Sequence, residues 1–191
     1  MAWAKNGTPS TLGGTASQIT ISDLTSTNFN VILNHNFTSG NINNLIRLDN
    51  TSGSNYARRS SEGGAADATA TSQTSWNLTD SVGSNDTFDI VYIVNISGEE
   101  KLAIGFWLRA NPGGAPQRME LALKYDVTSG QYSRIDVIED QAGSFAAGSN
   151  LSALTGDETE TATLQNGTIF EESDTNKAYI WNSSTNTWTQ L

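Results

Sequence analysis

Cysteine is absent from the chain, and histidine occurs once, at His35. Without cysteine the protein can build neither a disulfide framework nor a thiolate metal site, and one histidine cannot form a paired-imidazole zinc site. Long apolar runs are also missing, since no stretch approaches the roughly 18 residues that a membrane-spanning helix needs. These absences argue against the cysteine-stapled and membrane-spanning classes. His35, between two asparagines, is predicted to be a surface residue.

Basic residues are few, with 10 Lys and Arg against 20 Asp and Glu and a net charge of −10. A surface of this sign repels phosphate, so no nucleic-acid partner is predicted. In their place the chain has Ser, Thr and Asn, which make up 64 of its 191 residues, together with 17 Gly. This composition is typical of an exposed, turn-rich all-β protein.

The most hydrophobic part of the chain is a predicted β-hairpin formed by residues 88–96 and 101–109. Side chains alternate along a strand, so each half presents one face rich in apolar residues. The opposite face is also apolar in part, because it carries Val91, Ile93 and Trp107. Strands of this kind belong in a sheet that is covered on both faces, by a second sheet and by a loop, an arm or a neighbouring subunit. The richer face contains Phe88, Ile90, Tyr92, Val94, Ile96, Leu102, Ile104, Phe106 and Leu108.

The rest of the chain alternates between short strands and polar turns, without helical periodicity. The predicted fold class is therefore all-β: a jelly-roll-like antiparallel β-sandwich with an extended N-terminal arm and a C-terminal β-ribbon. The arm is assigned to residues 1–16, the sandwich to 17–156, and the linker and ribbon to 157–191. Phe29, Val31 and Leu33 are predicted to face the core, and residues 50–67 form a long polar, Gly-containing region to which no strand is assigned. Further strands are predicted at 18–24, 28–34, 44–49, 69–78, 119–125, 132–138, 151–154, 168–172, 177–181 and 187–191.

No catalytic residue, cofactor or metal ligand is predicted. Residues 134–139 have the spacing of the Glu-x-Asp-x-x-Glu pattern of retaining glycosidases, but Arg134 stands at the first acidic position. The favoured interpretation is a strand with solvated charges on one face. The acidic runs 136–140 and 157–160 lack the alternating ligand spacing of a calcium loop. An enzyme acting on polysaccharide is therefore the least favoured function.

Nine Asn-x-Ser/Thr triplets raise the question of glycosylation. A chain this rich in Asn, Ser and Thr produces such triplets by chance, which is the favoured interpretation. The triplets begin at Asn6, Asn36, Asn50, Asn77, Asn85, Asn95, Asn150, Asn166 and Asn182.

The C-terminal ribbon carries four aromatic residues that so short a ribbon cannot bury by itself. They are predicted to contact the sandwich or another subunit, and a homo-oligomer is expected, with a trimer favoured. These predicted contact residues are Phe170, Tyr179, Trp181 and Trp188.

Four segments carry a resemblance to known proteins. Residues 45–64 join an apolar strand to Asn-Thr-Ser-Gly-Ser-Asn-Tyr, an arginine pair and Gly-Gly, and residues 145–151 follow a Phe-x-x-Gly-Ser-x-Leu pattern. Together with the strand at 93–102, these segments resemble virion structural proteins of tailed phages, especially marine ones. The segment 166–181 is similar to short β-ribbons of phage fibre, tail and capsid-associated proteins.

The resemblance implies a non-enzymatic component of a virion, assembled in the host cytoplasm and exposed on the particle surface. It implies other virion proteins as partners and leaves open a capsid decoration or head fibre and a tail-fibre-type appendage. Fibre and decoration proteins are often trimers. The alternative is a carbohydrate-binding module that recognises host cell-surface glycans, because exposed Trp and Tyr rings stack on sugars.

Overall fold

The computed structural model describes residues 3–79, 85–156, 166–172, 177–182, 184–185 and 187–191. These residues form strands and turns, without a helix among them, and the predicted all-β sandwich is confirmed. The chain divides into two compact units, Trp3–Gly156 and a second unit that contains the described residues from Asn166 onward. The strands are β1 (Trp3–Lys5), β2 (Ser10–Thr11), β3 (Gln18–Ile21), β4 (Phe29–Asn36), β5 (Thr38–Ser39), β6 (Leu45–Leu48), β7 (Tyr56–Glu62), β8 (Ala68–Gln73), β9 (Trp76–Asn77), β10 (Thr87–Val94), β11 (Lys101–Arg109), β12 (Gln117–Tyr125), β13 (Ile135–Ile138), β14 (Ser144–Phe145), β15 (Asn150–Gly156), β16 (Ile169–Glu172), β17 (Lys177–Asn182) and β18 (Thr187–Gln190).

Two antiparallel sheets form the sandwich. The large sheet has nine strands in the order β1-β15-β4-β10-β11-β12-β7-β8, with β2 also paired to β15. The small sheet has the order β3-β13-β6-β9, and β14 pairs with β5 in a separate two-stranded sheet. Successive strands pass repeatedly from one main sheet to the other, as in a jelly roll. The hairpin β10–β11 lies in the middle of the large sheet, as the sequence predicts.

The core lies between the inner face of the large sheet and the small sheet. The apolar face of β12 is buried as predicted, with Met119, Leu121, Leu123 and Tyr125 each at most 5% exposed. Trp76, from β9 of the small sheet, is fully buried, and its ring centroid lies 5.8 Å from that of Tyr56 on β7. Aromatic side chains therefore join the two sheets at this end of the core.

The prediction that Phe29, Val31 and Leu33 face the core is wrong. The buried side of β4 carries Asn30, Ile32, Asn34 and Asn36, each fully buried. Phe29, Val31 and Leu33 lie on the opposite side, where Val31 is covered between its cross-strand neighbours Tyr92 and Leu154. The assignment fails because three asparagines occupy inward positions of β4, where the side chains of Asn30 and Asn34 form hydrogen bonds to Asn6 and Asp89.

Two segments predicted to lack sheet structure belong to the large sheet. The predicted arm is extended, but Trp3–Lys5 and Ser10–Thr11 pair with β15, whose outer edge would otherwise leave backbone groups unpaired. The polar region 50–67, to which no strand is assigned from the sequence, contains β7, which pairs with β12 through seven residues. The predicted polar strand at 69–78 corresponds to β8, which lies at the edge of the sheet, and to β9.

The second unit contains a three-stranded antiparallel ribbon in the order β16-β17-β18. The cross-strand pairs Phe170–Tyr179 and Trp181–Trp188 place aromatic side chains next to each other. The predicted ribbon strands at 168–172, 177–181 and 187–191 are confirmed with ends shifted by one residue.

Candidate functional site

The side of the large sheet that faces away from the small sheet carries an apolar surface on β4, β10 and β11. The strand pairing aligns its side chains in rows, for example Leu33, Ile90 and Phe106 in one row and Tyr92 and Ile104 in the next. We call this surface the outer apolar face. It consists of Phe29, Leu33, Phe88, Ile90, Tyr92, Val94, Leu102, Ile104, Phe106 and Leu108.

The outer apolar face is exposed in the sandwich unit. Leu102 and Ile104 are 56% and 59% exposed, whereas Val91, Ile93 and Trp107 on the inner side of the same hairpin are at most 2% exposed. The hairpin is therefore apolar on both sides, as predicted, but its richer side is the one outside the core. A monomer of this unit leaves a contiguous apolar sheet surface in water, which usually marks an interaction site.

Aromatic rings extend this surface towards the edge of the sheet. The ring centroids of Trp3 and Phe29 are 5.7 Å apart, and those of Phe29 and Tyr92 are 6.5 Å apart. A depression of about 300 Å³ lies beside them, lined by Phe29, Tyr92, Val94, Leu102, Ala103 and Ile104. The face thus combines a concave apolar region with protruding apolar side chains.

Charged side chains form one border of the outer apolar face, on β12, β7 and nearby residues. They occur as three exposed pairs of opposite sign, so the border carries little net charge. Exposed pairs of this kind contribute at most about 1 kcal/mol each to stability. The pairs are Arg59–Asp67 at 3.1 Å, Arg118–Glu120 at 3.7 Å and Lys124–Glu100 at 3.1 Å.

The ribbon brings together all four predicted contact residues. Ring centroids are separated by 6.4 Å for Phe170–Tyr179, 6.1 Å for Phe170–Trp188 and 5.3 Å for Trp181–Trp188. Phe170 and Trp188 are 51% and 40% exposed, so the cluster presents aromatic surface. Neighbouring ring planes are inclined by 32°, 60° and 56°, which makes the cluster a packed group rather than a flat platform. Its role in subunit contacts stays a prediction.

A polar cluster that sequence analysis missed lies inside the sandwich. The side-chain Nδ2 atoms of Asn34 and Asn44 donate to Oδ2 of Asp89 at 2.6 and 2.9 Å, and Asn44 also donates to Oγ1 of Thr87 at 2.8 Å. All four residues are buried, and burial raises the pKa of Asp89 to about 7. The signal in the sequence is the spacing of two residues that places Asn30, Ile32, Asn34 and Asn36 on one face of β4. That face is the inward one, although three of its four residues are polar.

A buried carboxyl group with a raised pKa is also a signature of catalytic sites. Asp89, however, is fully buried, and His35 lies on the other side of β4, with its ring centroid 4.6 Å from that of Phe37. An acid and a base are therefore not brought together here. The arrangement gives the cluster a structural role, because its hydrogen bonds connect β4, β10 and the segment before β6.

The structure also changes the interpretation of the glycosidase-like segment. Asp136 is fully buried rather than solvated, and Arg134 donates to both its carboxylate oxygens at 2.7–2.9 Å. Thr20 and Gln18 donate to Oδ1 of Asp136 at 2.6 Å each. Arg134 therefore stands where the first carboxylate would be needed and also neutralises the second. Glu139 accepts a hydrogen bond from the backbone N–H of Gln141 at 2.7 Å.

The described part of the chain bears on metal binding and on glycosylation. Within it, no three His, Cys, Asp or Glu side chains cluster as a metal site. The predicted acidic run 157–160 lies outside the described residues. Asn6, Asn36 and Asn95 are buried, and a buried amide cannot carry an oligosaccharide in the folded protein.

Comparisons with known protein families, with curated proteins and with solved structures find no match. Among the described residues, no helix is long and apolar enough to cross a membrane. The function is therefore inferred from the chain's own surfaces and motifs.

Proposed function

We propose that this chain is a non-enzymatic structural component of a tailed-phage particle that works as a homo-oligomer. It is exposed on the particle as a capsid decoration, a head fibre or a tail-fibre-type appendage, after assembly in the host cytoplasm. The observation that supports this proposal best is the outer apolar face, which leaves side chains such as Leu102 and Ile104 more than half exposed. Contiguous apolar surfaces of this extent are typical of proteins that function within an assembly.

The residues that carry the phage resemblance have structural roles, which is consistent with a shared fold. In the segment 45–64, the hydroxyl of Tyr56 accepts a 2.9 Å hydrogen bond from the backbone N–H of Leu48 and donates to the carbonyl of Thr51 at 3.1 Å. Asp49 accepts bonds from the backbone N–H groups of Ser133 and Arg134 at 2.8 and 3.1 Å. The motif closes one end of the core. It supports the proposal indirectly, because it stabilises the sandwich fold that the resemblance implies.

The composition fits a particle surface. Few charges and many Ser, Thr and Asn residues suit a stable β surface in water. Within the sandwich unit, nine strands are hydrogen-bonded into one sheet and four into a second.

The test is cryo-electron microscopy of purified phage particles that carry the chain, with mass spectrometry of the same particles. The expected result is density for the sandwich at regular positions on the head or the tail. Its absence from particles that are otherwise complete would overturn the proposal.

A carbohydrate-binding module is the second candidate, favoured by the exposed rings of Phe170 and Trp188. The tilt of 60° between them means that a sugar could stack on one ring at a time rather than on a shared platform. Binding on an array of bacterial surface glycans, lost in Trp188→Ala, would support this candidate.

A further inference from the structure

We propose that the outer apolar face is buried against other copies of this same sandwich. The inference deepens the proposed function and rests on it in one respect, because it names the surface and the partner of the proposed homo-oligomer. Three properties of the face support a second copy as the occupant: its size, its lack of charge and its shape.

The size of the face matches a subunit interface. Six of its ten residues are 39–59% exposed and the other four are partly buried, so the face offers on the order of 700 Å² of apolar surface, since an aromatic residue alone presents about 150–250 Å² when free. The largest apolar patch on a typical monomer is about 300–600 Å². One side of a standard protein interface buries about 800 Å². The face therefore exceeds what a monomer usually leaves in water and is close to what one partner contributes.

The charge pattern argues against nucleic acid and anionic lipid as the occupant. The outward positions of β4, β10 and β11 carry no Asp, Glu, Lys or Arg. The charged residues of the border pair with each other. Such a face offers nothing to nucleic acid or an anionic lipid headgroup. Two copies can approach each other here without bringing like charges into contact, despite the net charge of −10 on each chain.

The shape favours a β surface as the partner. Two sheets pack face to face about 10 Å apart when their side chains interdigitate, and the inner side of this sheet already packs on a sheet in that way. The outer side offers both elements that interdigitation needs, namely the depression beside Phe29 and Tyr92 and the protruding Phe106 and Leu108. A second copy supplies the same pleat and the same apolar side chains, and repeated copies close into a symmetric oligomer.

The experiment compares full-length Ile104→Glu with full-length Thr69→Glu by sedimentation velocity. The two residues lie in one row on the same side of the large sheet, linked by the pairs Ile104–Ala122, Ala122–Arg59 and Arg59–Thr69, but only Ile104 belongs to the outer apolar face. Wild type and Thr69→Glu are expected to associate equally. Ile104→Glu is expected to weaken association at least tenfold while its circular dichroism spectrum and Tm stay close to those of wild type.

Leu102→Lys serves as a second variant, because Leu102 is also highly exposed and its replacement leaves the core untouched. Unchanged association in both Ile104→Glu and Leu102→Lys would overturn the inference, as would a wild-type protein that stays monomeric at high concentration. Association lost in Trp188→Ser but retained in both variants would assign the contact to the ribbon and overturn it as well. Particle microscopy reports separately on the proposed function, since a chain present on particles can still fail these tests.

Discussion

Asn34 and Asp89 are cross-strand partners on β4 and β10, and they meet inside the core with Nδ2 of Asn34 2.6 Å from Oδ2 of Asp89. Asn44 approaches the same oxygen from the other side of the core at 2.9 Å. Two neutral amide donors lower the pKa of this carboxyl, but they do not offset its complete burial, which raises the pKa to about 7. The hydrogen bond between Asn34 and Asp89 therefore links the two strands through a titratable carboxyl group that is inaccessible to water.

The stability of the protein is predicted to fall as the pH rises from about 5 to about 7 and to level off above that, because Asp89 loses its proton. The pKa of Asp89 is about 7 in the folded state and near its ordinary value of 3.8 when unfolded, so the folded state holds the proton more tightly. Its contribution is fully present below pH 3.8 and is lost as the pH rises through 7. With about 1.4 kcal/mol per pKa unit, the loss is on the order of 1–4 kcal/mol. Urea unfolding at pH 5, 6, 7 and 8 measures it.

Asp89→Asn is the control for this prediction, since the amide keeps the shape of the carboxyl group and does not titrate. The difference in slope between wild type and Asp89→Asn isolates the contribution of Asp89 from those of all other titratable groups. A variant with the same pH dependence as wild type would contradict the prediction.

Two leucines on neighbouring strands test the assignment of inner and outer faces. Leu121→Ala on β12 removes a side chain that is 5% exposed and is predicted to lower the free energy of unfolding by about 2–5 kcal/mol. Leu102→Ala on β11, where 56% of the residue is exposed, is predicted to lower it by roughly 0.5 kcal/mol or less. Urea unfolding in dilute solution, where any oligomer dissociates, gives both values. Equal losses would show that the faces are assigned wrongly.

Purified protein is predicted to hydrolyse no polysaccharide. Arg134 stands at the position where a retaining glycosidase has its first carboxylate, and its partly exposed guanidinium forms an ion pair at 2.7 Å with the buried carboxylate of Asp136. Incubation with a panel of bacterial capsule and cell-wall polysaccharides, followed by a reducing-end assay, checks this. Hydrolysis that is abolished by Asp136→Asn or Glu139→Gln would contradict the prediction.

The ribbon is predicted to contribute to the subunit contacts of a homo-oligomer, with a trimer favoured. Its cluster leaves aromatic surface exposed at Phe170 and Trp188, and exposed apolar surface of this kind often marks a contact site. Deleting residues 157–191 is expected to weaken association and to leave a folded, soluble sandwich, as measured by light scattering and circular dichroism. An oligomer of unchanged size and affinity after the deletion would remove the ribbon from the interface.

Strands with a regular apolar alternation were predictable from the sequence. The core-facing residues of β12 follow directly from their spacing, because its other side is polar or small. The same reasoning could not orient β4 or β10, since a period of two shows which residues share a face but not which face is inward. Asn34 and Asp89 look like solvent positions until Asn44, distant in sequence, is placed beside them.

β7 was missed for a different reason. Its Arg58, Arg59, Ser60 and Ser61 have no alternation of their own, and the strand forms because β12 and β8 pair with it on both sides. For the candidate site, the four ribbon aromatics were predictable, because a short segment cannot bury them. The outer apolar face was predictable as a two-sided hairpin, but its exposure depended on the packing of the small sheet against Val91, Ile93 and Trp107.

The placement of the richer apolar side outside the core also bears on how the chain folds. A slip of β10 by one residue would turn Phe88, Ile90 and Tyr92 inward and release Asp89 to water, so a competing collapsed state has two local advantages over the native one. The native arrangement prevails through the Asn34–Asp89–Asn44 bonds and the apolar partners of Val91 and Ile93. When the outer side is covered, Phe88, Ile90 and Tyr92 are shielded from water in the native state as well as in the slipped state. The slipped state then loses its remaining advantage. If copies of the sandwich cover this side as proposed, their assembly would act as the last step of folding, and newly made chains would be most exposed to misfolding before that step.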